Sequence, residues 1–135
     1  MVENFFEIKI KTKNKEEIID ITKKVKELLK NTNIKDGICF LYVPHTTASL
    51  IINENADENI KKDILMWLKK NVPKGIWLHD SIDNNGDAHI KASLLNCFQL
   101  IPIKDGEILL GKWQGIMLVE MDGPKERKVY VSFIK

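Results

Sequence analysis

The chain has 135 residues, of which 44% are hydrophobic and 30% are charged, and these values are typical of one globular domain spanning residues 1–135. Its 21 basic and 19 acidic residues leave a formal net charge of +2, which argues against nucleic acid as the main partner. No apolar run approaches the roughly 18 residues of a membrane span, and residues 1–4 do not resemble a signal peptide. Cys39 and Cys97 lack the close spacing of a zinc or redox motif, so we expect a cytoplasmic protein with reduced thiols and no membrane contact.

The first half of the chain predicts strands around one helix. Apolar and polar residues alternate over residues 5–11, which predicts a half-buried strand. Asn14 is a candidate helix N-cap, and the apolar stripe that follows it predicts a helix that ends near Asn31. Apolar runs at residues 38–43 and 50–52 predict two more strands, the first of which is stopped by a proline.

The middle of the chain predicts two further helices. Apolar residues recur at helical spacing over residues 60–72, after polar residues that can accept the hydrogen bonds of a helix N-terminus. Residues 76–78 have the length and composition of a short strand that leads to His79. The Gly-Asp pair at residues 86–87 predicts the start of the next helix, which carries His89 in its first turn.

The last third of the chain predicts two β-hairpins. Residues 100–103 and 108–110 flank an Asp-Gly pair, which is the turn signal of a hairpin. Residues 115–121 and 128–134 flank an Asp-Gly-Pro segment and predict a second hairpin. The fold class that we predict is therefore α+β, a single domain of six to eight mostly antiparallel strands with two or three helices.

The three histidines, His45, His79 and His89, all lie in polar segments rich in turn residues. Neutral imidazole is the commonest metal ligand and can transfer protons near neutral pH. Because three imidazoles with one open position form a recurrent catalytic zinc site, we predict that the histidines are catalytic or bind zinc. Asp83 can orient His89 or supply a carboxylate ligand. The alternatives are that Asp83 caps the helix and that each histidine is an ordinary surface or half-buried residue.

Hydroxyl, amide and charged side chains accompany the histidines. Thr46 and Thr47 can present hydroxyls to an anionic ligand, or they can satisfy backbone groups of a strand. Gln114 lies within a segment bounded by Gly111 and Gly115 that can aim it at a ligand, although a packed tryptophan with a satisfied amide is the commoner arrangement. Glu120 lies in an apolar run and needs a partner. Arg127, the only arginine, can form with it a structural ion pair, an acid/base pair or a phosphate-binding pair.

Taken in order, these motifs resemble those of the YjbQ-type secondary thiamine-phosphate synthase family over nearly the whole chain. The motifs are His45-Thr46-Thr47-Ala48-Ser49-Leu50, Asn53-Glu54-Asn55, Asp83 with Asn85 and Ala88-His89, Gly111 with Trp113-Gln114, and Glu120 through Asp122-Gly123-Pro124 to Arg127. Two positions depart from the family pattern. Asp87 stands where many relatives have a histidine, and Lys112 stands where a threonine often precedes the Trp-Gln pair, a change that we expect to alter a phosphate contact.

The resemblance implies a small cytoplasmic homotrimer with a β-sandwich-like core and a site between subunits. It also implies coupling of hydroxymethylpyrimidine diphosphate to a thiazole phosphate, with release of pyrophosphate, so the partner is a small phosphorylated substrate. The implied catalytic residues are His45, His79, His89, Asp83 and Glu120, and the implied substrate-binding residues are Thr46, Thr47, Asn53, Glu54, Asn85, Gln114 and Arg127. A divalent metal is implied, either zinc at the three histidines or magnesium with the diphosphate. The alternatives are a noncatalytic trimer that binds a metal or a phosphorylated ligand, and a metal-dependent hydrolase.

Overall fold

The structure, a computed structural model, describes residues 4–135, which form eight strands and four helices. Residues 1–3, part of the segment that does not resemble a signal peptide, lie outside the described residues. In chain order the elements are β1 (Phe5–Lys11), β2 (Glu17–Asp20), α1 (Thr22–Lys30), β3 (Gly37–Tyr42), β4 (Ala48–Glu54), α2 (Glu58–Asn71), α3 (Asp80–Asp83), α4 (Gly86–Leu94), β5 (Phe98–Lys104), β6 (Glu107–Ile108), β7 (Gln114–Glu120) and β8 (Glu126–Ile134). Among the helices of the described residues, none has the length and apolar composition that a bilayer crossing requires.

The strands form two antiparallel sheets that pack face to face, with the order β1-β8-β3-β5-β6 in the larger and β2-β7-β4 in the smaller. The main core fills the space between them and includes Leu41 of β3, Leu50 of β4, Leu118 of β7 and Val131 of β8, all fully buried. Helix α1 adds Val25 to the same core. The predicted α+β domain with a β-sandwich-like core is therefore confirmed.

The smaller sheet is buried on both faces. A second apolar cluster packs Met117 and Val119 of β7 against Ala88 of α4, with Ile64 of α2 beside it. Because this sheet lies between the larger sheet and two helices, β7 is a continuous apolar run rather than an alternating one. Glu120, at the end of that run, projects toward the larger sheet, where it meets β8.

The helix predicted from Asn14 starts too early. It begins at Thr22, and Glu17–Asp20 form β2 against β7 instead. The Glu17 carboxylate accepts hydrogen bonds from the main-chain amides of Lys13 and Asn14, both at 2.7 Å. The Asn-x-x-Glu pattern therefore closes a turn before a strand, and the apolar spacing of this segment fits either a helix or a strand.

Two further predictions are wrong, namely the strand at residues 76–78 and the second hairpin. The first hairpin is confirmed. Residues 76–78 form a turn before α3 instead of a strand, and residues 4–135 contain four helices rather than two or three. Strands β7 and β8 lie in different sheets and do not form a hairpin, because β8 pairs with β1 and β3. The hairpin of β5 and β6 is present, with Gly106 at a φ of 80° in its turn.

Candidate functional site

The chain crosses between the two sheets three times at the same end of the sandwich. Strand β1 leads to β2 through residues 12–16, β3 leads to β4 through residues 43–47, and β7 leads to β8 through residues 121–125. Main-chain hydrogen bonds of 2.9–3.1 Å join the third of these crossovers to both of the others. Polar side chains that are far apart in sequence therefore meet at one end of the domain.

A buried ion pair lies beneath the crossovers. Arg127 donates from Nε to both carboxylate oxygens of Glu120, at 2.9 and 3.0 Å, and Thr12 Oγ1 donates to Glu120 Oε1 at 2.7 Å. Burial raises the pKa of the Glu120 carboxyl, but the hydrogen bonds from Arg127 and Thr12 outweigh this and hold the pKa below its ordinary value. Glu120 is fully buried, so it can act on a ligand only through the arginine.

Three hydrogen-bond donors on this side of the site remain free for a ligand. Nη1 of Arg127 has no partner among residues 4–135, because its hydrogen bonds are made by Nε and Nη2. The hydroxyl of Thr47 accepts from Arg127 Nη2 at 2.8 Å, so its own proton is free. His45 Nε2 accepts the main-chain N–H of Lys128 at 2.9 Å, which puts the proton of the neutral ring on Nδ1. Burial and the nearby Arg127 charge lower the pKa of His45 and so favour that neutral ring.

A second charged cluster surrounds Asp122. Its carboxylate accepts hydrogen bonds from Lys15, from Lys125 at 2.8 Å and from Asn85 Nδ2 at 2.8 Å. Burial raises the pKa of Asp122, but the hydrogen bonds from the two lysines and Asn85 outweigh this and lower the pKa well below its ordinary range. Since the amide nitrogen of Asn85 must face Asp122, the buried Oδ1 is left without a donor. Such a group costs about 1–3 kcal/mol, so a ligand that donates to it is favoured.

Helix α4 carries His89 to the crossovers, and α3 packs against its start. The Asp80 carboxylate accepts from the main-chain amides of Trp77 at 3.1 Å and Gly86 at 2.8 Å, which holds the two segments together. Gly86 is required at this contact, because a Cβ there would lie 2.6 Å from the Cβ of Trp77. The rings of His79 and His89 consequently pack edge to face, with centroids 4.5 Å apart. His89 thus has a fixed neighbour on the side of α3.

An open cavity of about 710 Å³ lies between the crossovers and the start of α4, and we call it the phosphate cavity after the phosphorylated substrate that the sequence resemblance implies. The predicted site residues that line it are His45, Thr46, Thr47, Asp83, Asn85, His89 and Arg127. Asp122 and Lys125 also line it, but they were not predicted as site residues. They were missed because the segment that carries them was interpreted as a hairpin tip, where polar residues ordinarily point to solvent.

Three of the predicted substrate-binding residues lie away from this cavity. Asn53 and Glu54 are at the far end of β4, and Glu54 pairs in register with Gln114. Glu54 lies six positions after Ala48 along β4, which is about 20 Å at the usual rise per residue. Gln114 Oε1 accepts the main-chain N–H of Gly111 at 2.7 Å and so closes its own turn. Contacts of these three residues with the same substrate need a second subunit and stay a prediction.

The predicted zinc site does not fit the residues of one chain. Residues 4–135 contain no group of three or more His, Cys, Asp or Glu side chains placed to hold a metal ion. His45 Nε2 already accepts a hydrogen bond, and His79 Nε2 lies 3.6 Å from an Asp83 oxygen. A bound metal therefore stays a prediction, and we derive no chemical step from it.

Comparisons with known proteins point to one family. The family model described as "UPF0047 protein YjbQ-like" matches residues 6–135. A UPF0047 protein of Methanocaldococcus jannaschii is 47% identical over 134 residues, which cover 99% of this chain and 96% of that protein. The UPF0047 protein YugU of Bacillus subtilis is 39% identical over 130 residues, which cover 94% and 96% of the two chains. A crystal structure of a YjbQ/UPF0047 family protein from Clostridium acetobutylicum has a TM-score of 0.92 and 45% identity, with coverage of 96% and 99%.

Proposed function

Because this chain belongs to the UPF0047/YjbQ family, we propose that it is an enzyme similar to thiamine-phosphate synthase, coupling hydroxymethylpyrimidine diphosphate to a thiazole phosphate. The observation that carries the proposal is the phosphate cavity, where Arg127, Thr47 and His45 have N–H or O–H groups free to donate. Arg127 is also the type of side chain best suited to binding phosphate oxygens in a fixed orientation.

The chemistry of the coupling requires donors of this kind. The bond between the pyrimidine methylene carbon and a diphosphate oxygen breaks, and a bond forms between that carbon and the thiazole nitrogen. Pyrophosphate leaves with the electron pair of the broken bond, so negative charge grows on its oxygens. Nη1 of Arg127, the Thr47 hydroxyl and Nδ1 of His45 can donate to those oxygens, and Glu120 acts as a positioning residue that holds the guanidinium.

The test is formation of thiamine phosphate from the two phosphorylated substrates. We expect product from the wild-type protein and a rate about 10²–10³-fold lower for Thr47→Val, the loss typical of one missing donor to a developing oxyanion. His89→Ala should also lose activity, since His89 lines the phosphate cavity together with Arg127. Asn33→Ala is the control, because it removes an exposed polar side chain before β3, which does not line that cavity and is not a predicted site residue. Circular dichroism should be unchanged in all three variants.

The same assay separates the alternatives. If wild-type protein forms no product yet binds pyrophosphate in calorimetry, the synthase proposal is refuted and a noncatalytic protein that binds phosphorylated ligands takes its place. Stoichiometric zinc in the purified protein, together with hydrolysis of the diphosphate, would favour the metal-dependent hydrolase instead. Recording the metal content of every preparation therefore belongs to the experiment.

We also propose that the protein is a homotrimer, as expected from the family resemblance. The support is the outer face of the larger sheet, which exposes a row of large apolar side chains: Phe5, Ile38, Tyr42, Leu100 and Ile134. Contiguous apolar faces of this kind are typical of subunit interfaces. Analytical ultracentrifugation should give a trimer for the wild type and dissociation for Leu100→Glu, whose side chain is 57% exposed in the single chain. A monomeric wild type would contradict the proposal.

A further inference from the structure

A second cavity of about 510 Å³ adjoins the phosphate cavity, and we call it the ring cavity. The two cavities share His45, Thr46 and His89, which form the boundary between them. Both volumes lie within the range of cavities that bind small molecules. A single ligand can therefore extend from one cavity into the other across the two histidines.

The two cavities differ in chemistry. The phosphate cavity is lined by charged side chains, including Arg127 and Lys125, whereas no Lys, Arg, Asp or Glu lines the ring cavity. Its walls are apolar at Ala92, Leu95 and Phe98, with polar groups between them. A phosphate group in the ring cavity would be desolvated with no cation to compensate its charge, which is costly. An apolar group with a few polar atoms is the ligand that these walls suit.

We propose that the ring cavity binds the heteroaromatic ring of a ligand whose phosphate groups lie in the phosphate cavity. The inference rests on the proposed function and extends it by dividing the substrate between two cavities. Phe98 is 45% exposed and packs 6.1 Å from Phe40 between ring centroids, so part of one aromatic surface remains open to a ligand. Aromatic rings packed offset or edge to face add roughly 0.5–1.5 kcal/mol beyond their buried area.

The boundary residues determine where the reacting bond lies. In this arrangement the linkage between ring and phosphate crosses beside His45 and His89, since these residues line both cavities. Because His45 Nε2 accepts the Lys128 amide, the other ring nitrogen carries the N–H and can donate a hydrogen bond to the bridging oxygen. The substrate class is therefore a heteroaromatic phosphate or diphosphate ester with a short linker.

Cys97 provides a direct probe of the ring cavity. Its side chain is exposed and lines the ring cavity but not the phosphate cavity. The other thiol, Cys39, is fully buried, and burial raises its pKa to about 12, so a thiol reagent reacts first at Cys97. We would measure the rate of modification by a disulfide reagent in the presence of hydroxymethylpyrimidine monophosphate or of inorganic pyrophosphate. Each ligand would be held at ten times its measured Kd.

We expect the pyrimidine phosphate to slow modification about tenfold at that concentration and pyrophosphate to leave the rate unchanged. Equal protection by both ligands, or no protection by a bound pyrimidine phosphate, would overturn the proposal. A pyrimidine phosphate that does not bind while pyrophosphate does would overturn it as well. Protection of Cys97 without formation of thiamine phosphate would refute the synthase function and support the ring cavity, so the two failures are distinguishable.

A pair of variants tests the same cavity without chemical modification. Cys97→Trp should fill the ring cavity and raise the Kd for the pyrimidine phosphate at least about tenfold, with the Kd for pyrophosphate unchanged. Asn33→Trp is the matched control, because it adds the same side chain at an exposed position that lines neither cavity, and it should bind both ligands as the wild type does. An unchanged Kd for the pyrimidine phosphate in Cys97→Trp would place the ring elsewhere and overturn the proposal.

Discussion

Replacing Glu120 by Gln should destabilise the protein by about 3–5 kcal/mol, the cost of breaking a buried ion pair. The carboxylate is fully buried, and each of its oxygens is surrounded by donors. Oε1 accepts from Thr12 and from Arg127 Nε, while Oε2 accepts from Arg127 and from the main-chain amides of Met121 and Asp122. An amide nitrogen at either position would face donors, and the Arg127 charge, only 4% exposed, would lose its partner.

The stability of Glu120→Gln should be measured by urea unfolding at neutral pH. Glu126→Gln is the matched control, because Glu126 is exposed at the start of β8 and should change the free energy of unfolding by less than about 1 kcal/mol. If Glu120→Gln costs no more than this control, the ion pair is not the buried, fully bonded pair described above. That result would also remove the reason for assigning Glu120 to the positioning of Arg127.

The pH dependence of the difference in unfolding free energy between the wild type and Glu120→Gln gives an independent check of the ion pair. The pKa of Glu120 lies below its ordinary value of 4.5 in the folded protein. Its contribution to stability is therefore present above pH 4.5 and is lost as the pH falls through the folded-state pKa. The destabilisation by Glu120→Gln should be largest at neutral pH and should shrink on acidification. A difference that stays constant from neutral to acidic pH would contradict the assignment.

Three other substitutions test the site and the core. The folded-state pKa of His45 lies below 6.5, so its contribution to stability is present above pH 6.5 and is lost as the pH falls through that lower pKa. His45→Gln should therefore flatten the decline of the unfolding free energy with falling pH, measured by urea unfolding. Asn85→Asp puts a second carboxylate 2.8 Å from an Asp122 oxygen, and we expect a loss of about 1–3 kcal/mol at neutral pH that acid reverses. Leu118→Ala should cost about 2–5 kcal/mol in the buried core, against less than about 0.5 kcal/mol for Leu109→Ala, a leucine that is 56% exposed.

The elements that were predicted correctly have sequence patterns that depend only on residues close to them in the chain. Strand β1 has one buried face and alternates clearly, and α2 begins after Asp57, whose side chain accepts from the amide of Asn59. The smaller sheet was harder, because β7 is buried on both faces and its pattern does not indicate its partners. The residues before Thr22 fit strand and helix periods equally, so only pairing with β7 makes them a strand.

Only part of the candidate site could be predicted from the sequence, because its residues are brought together by long-range strand pairing. His45, Arg127 and His89 were singled out by residue type, but their meeting depends on three chain crossovers that no local pattern encodes. Asp122 was missed as an acceptor beside the phosphate cavity, because residues 121–125 were predicted to be the tip of a hairpin. Gln114 was also predicted in the site, but in the single chain its side chain closes a local turn, and its contact with the substrate stays a prediction. Long-range strand pairing therefore determines which of the predicted residues reach the site.

The position of β8 has a consequence for the order in which the protein acquires its ligand site. β8 lies between β1 and β3 in the larger sheet, yet it follows every other strand in the chain. On the ribosome, β1 and β3 emerge first and wait with unpaired edges until this last strand inserts between them. Arg127 lies at the start of β8, so a nascent chain has no guanidinium over Glu120 and no finished phosphate cavity. The candidate site is therefore complete only after β8 has been inserted into the larger sheet.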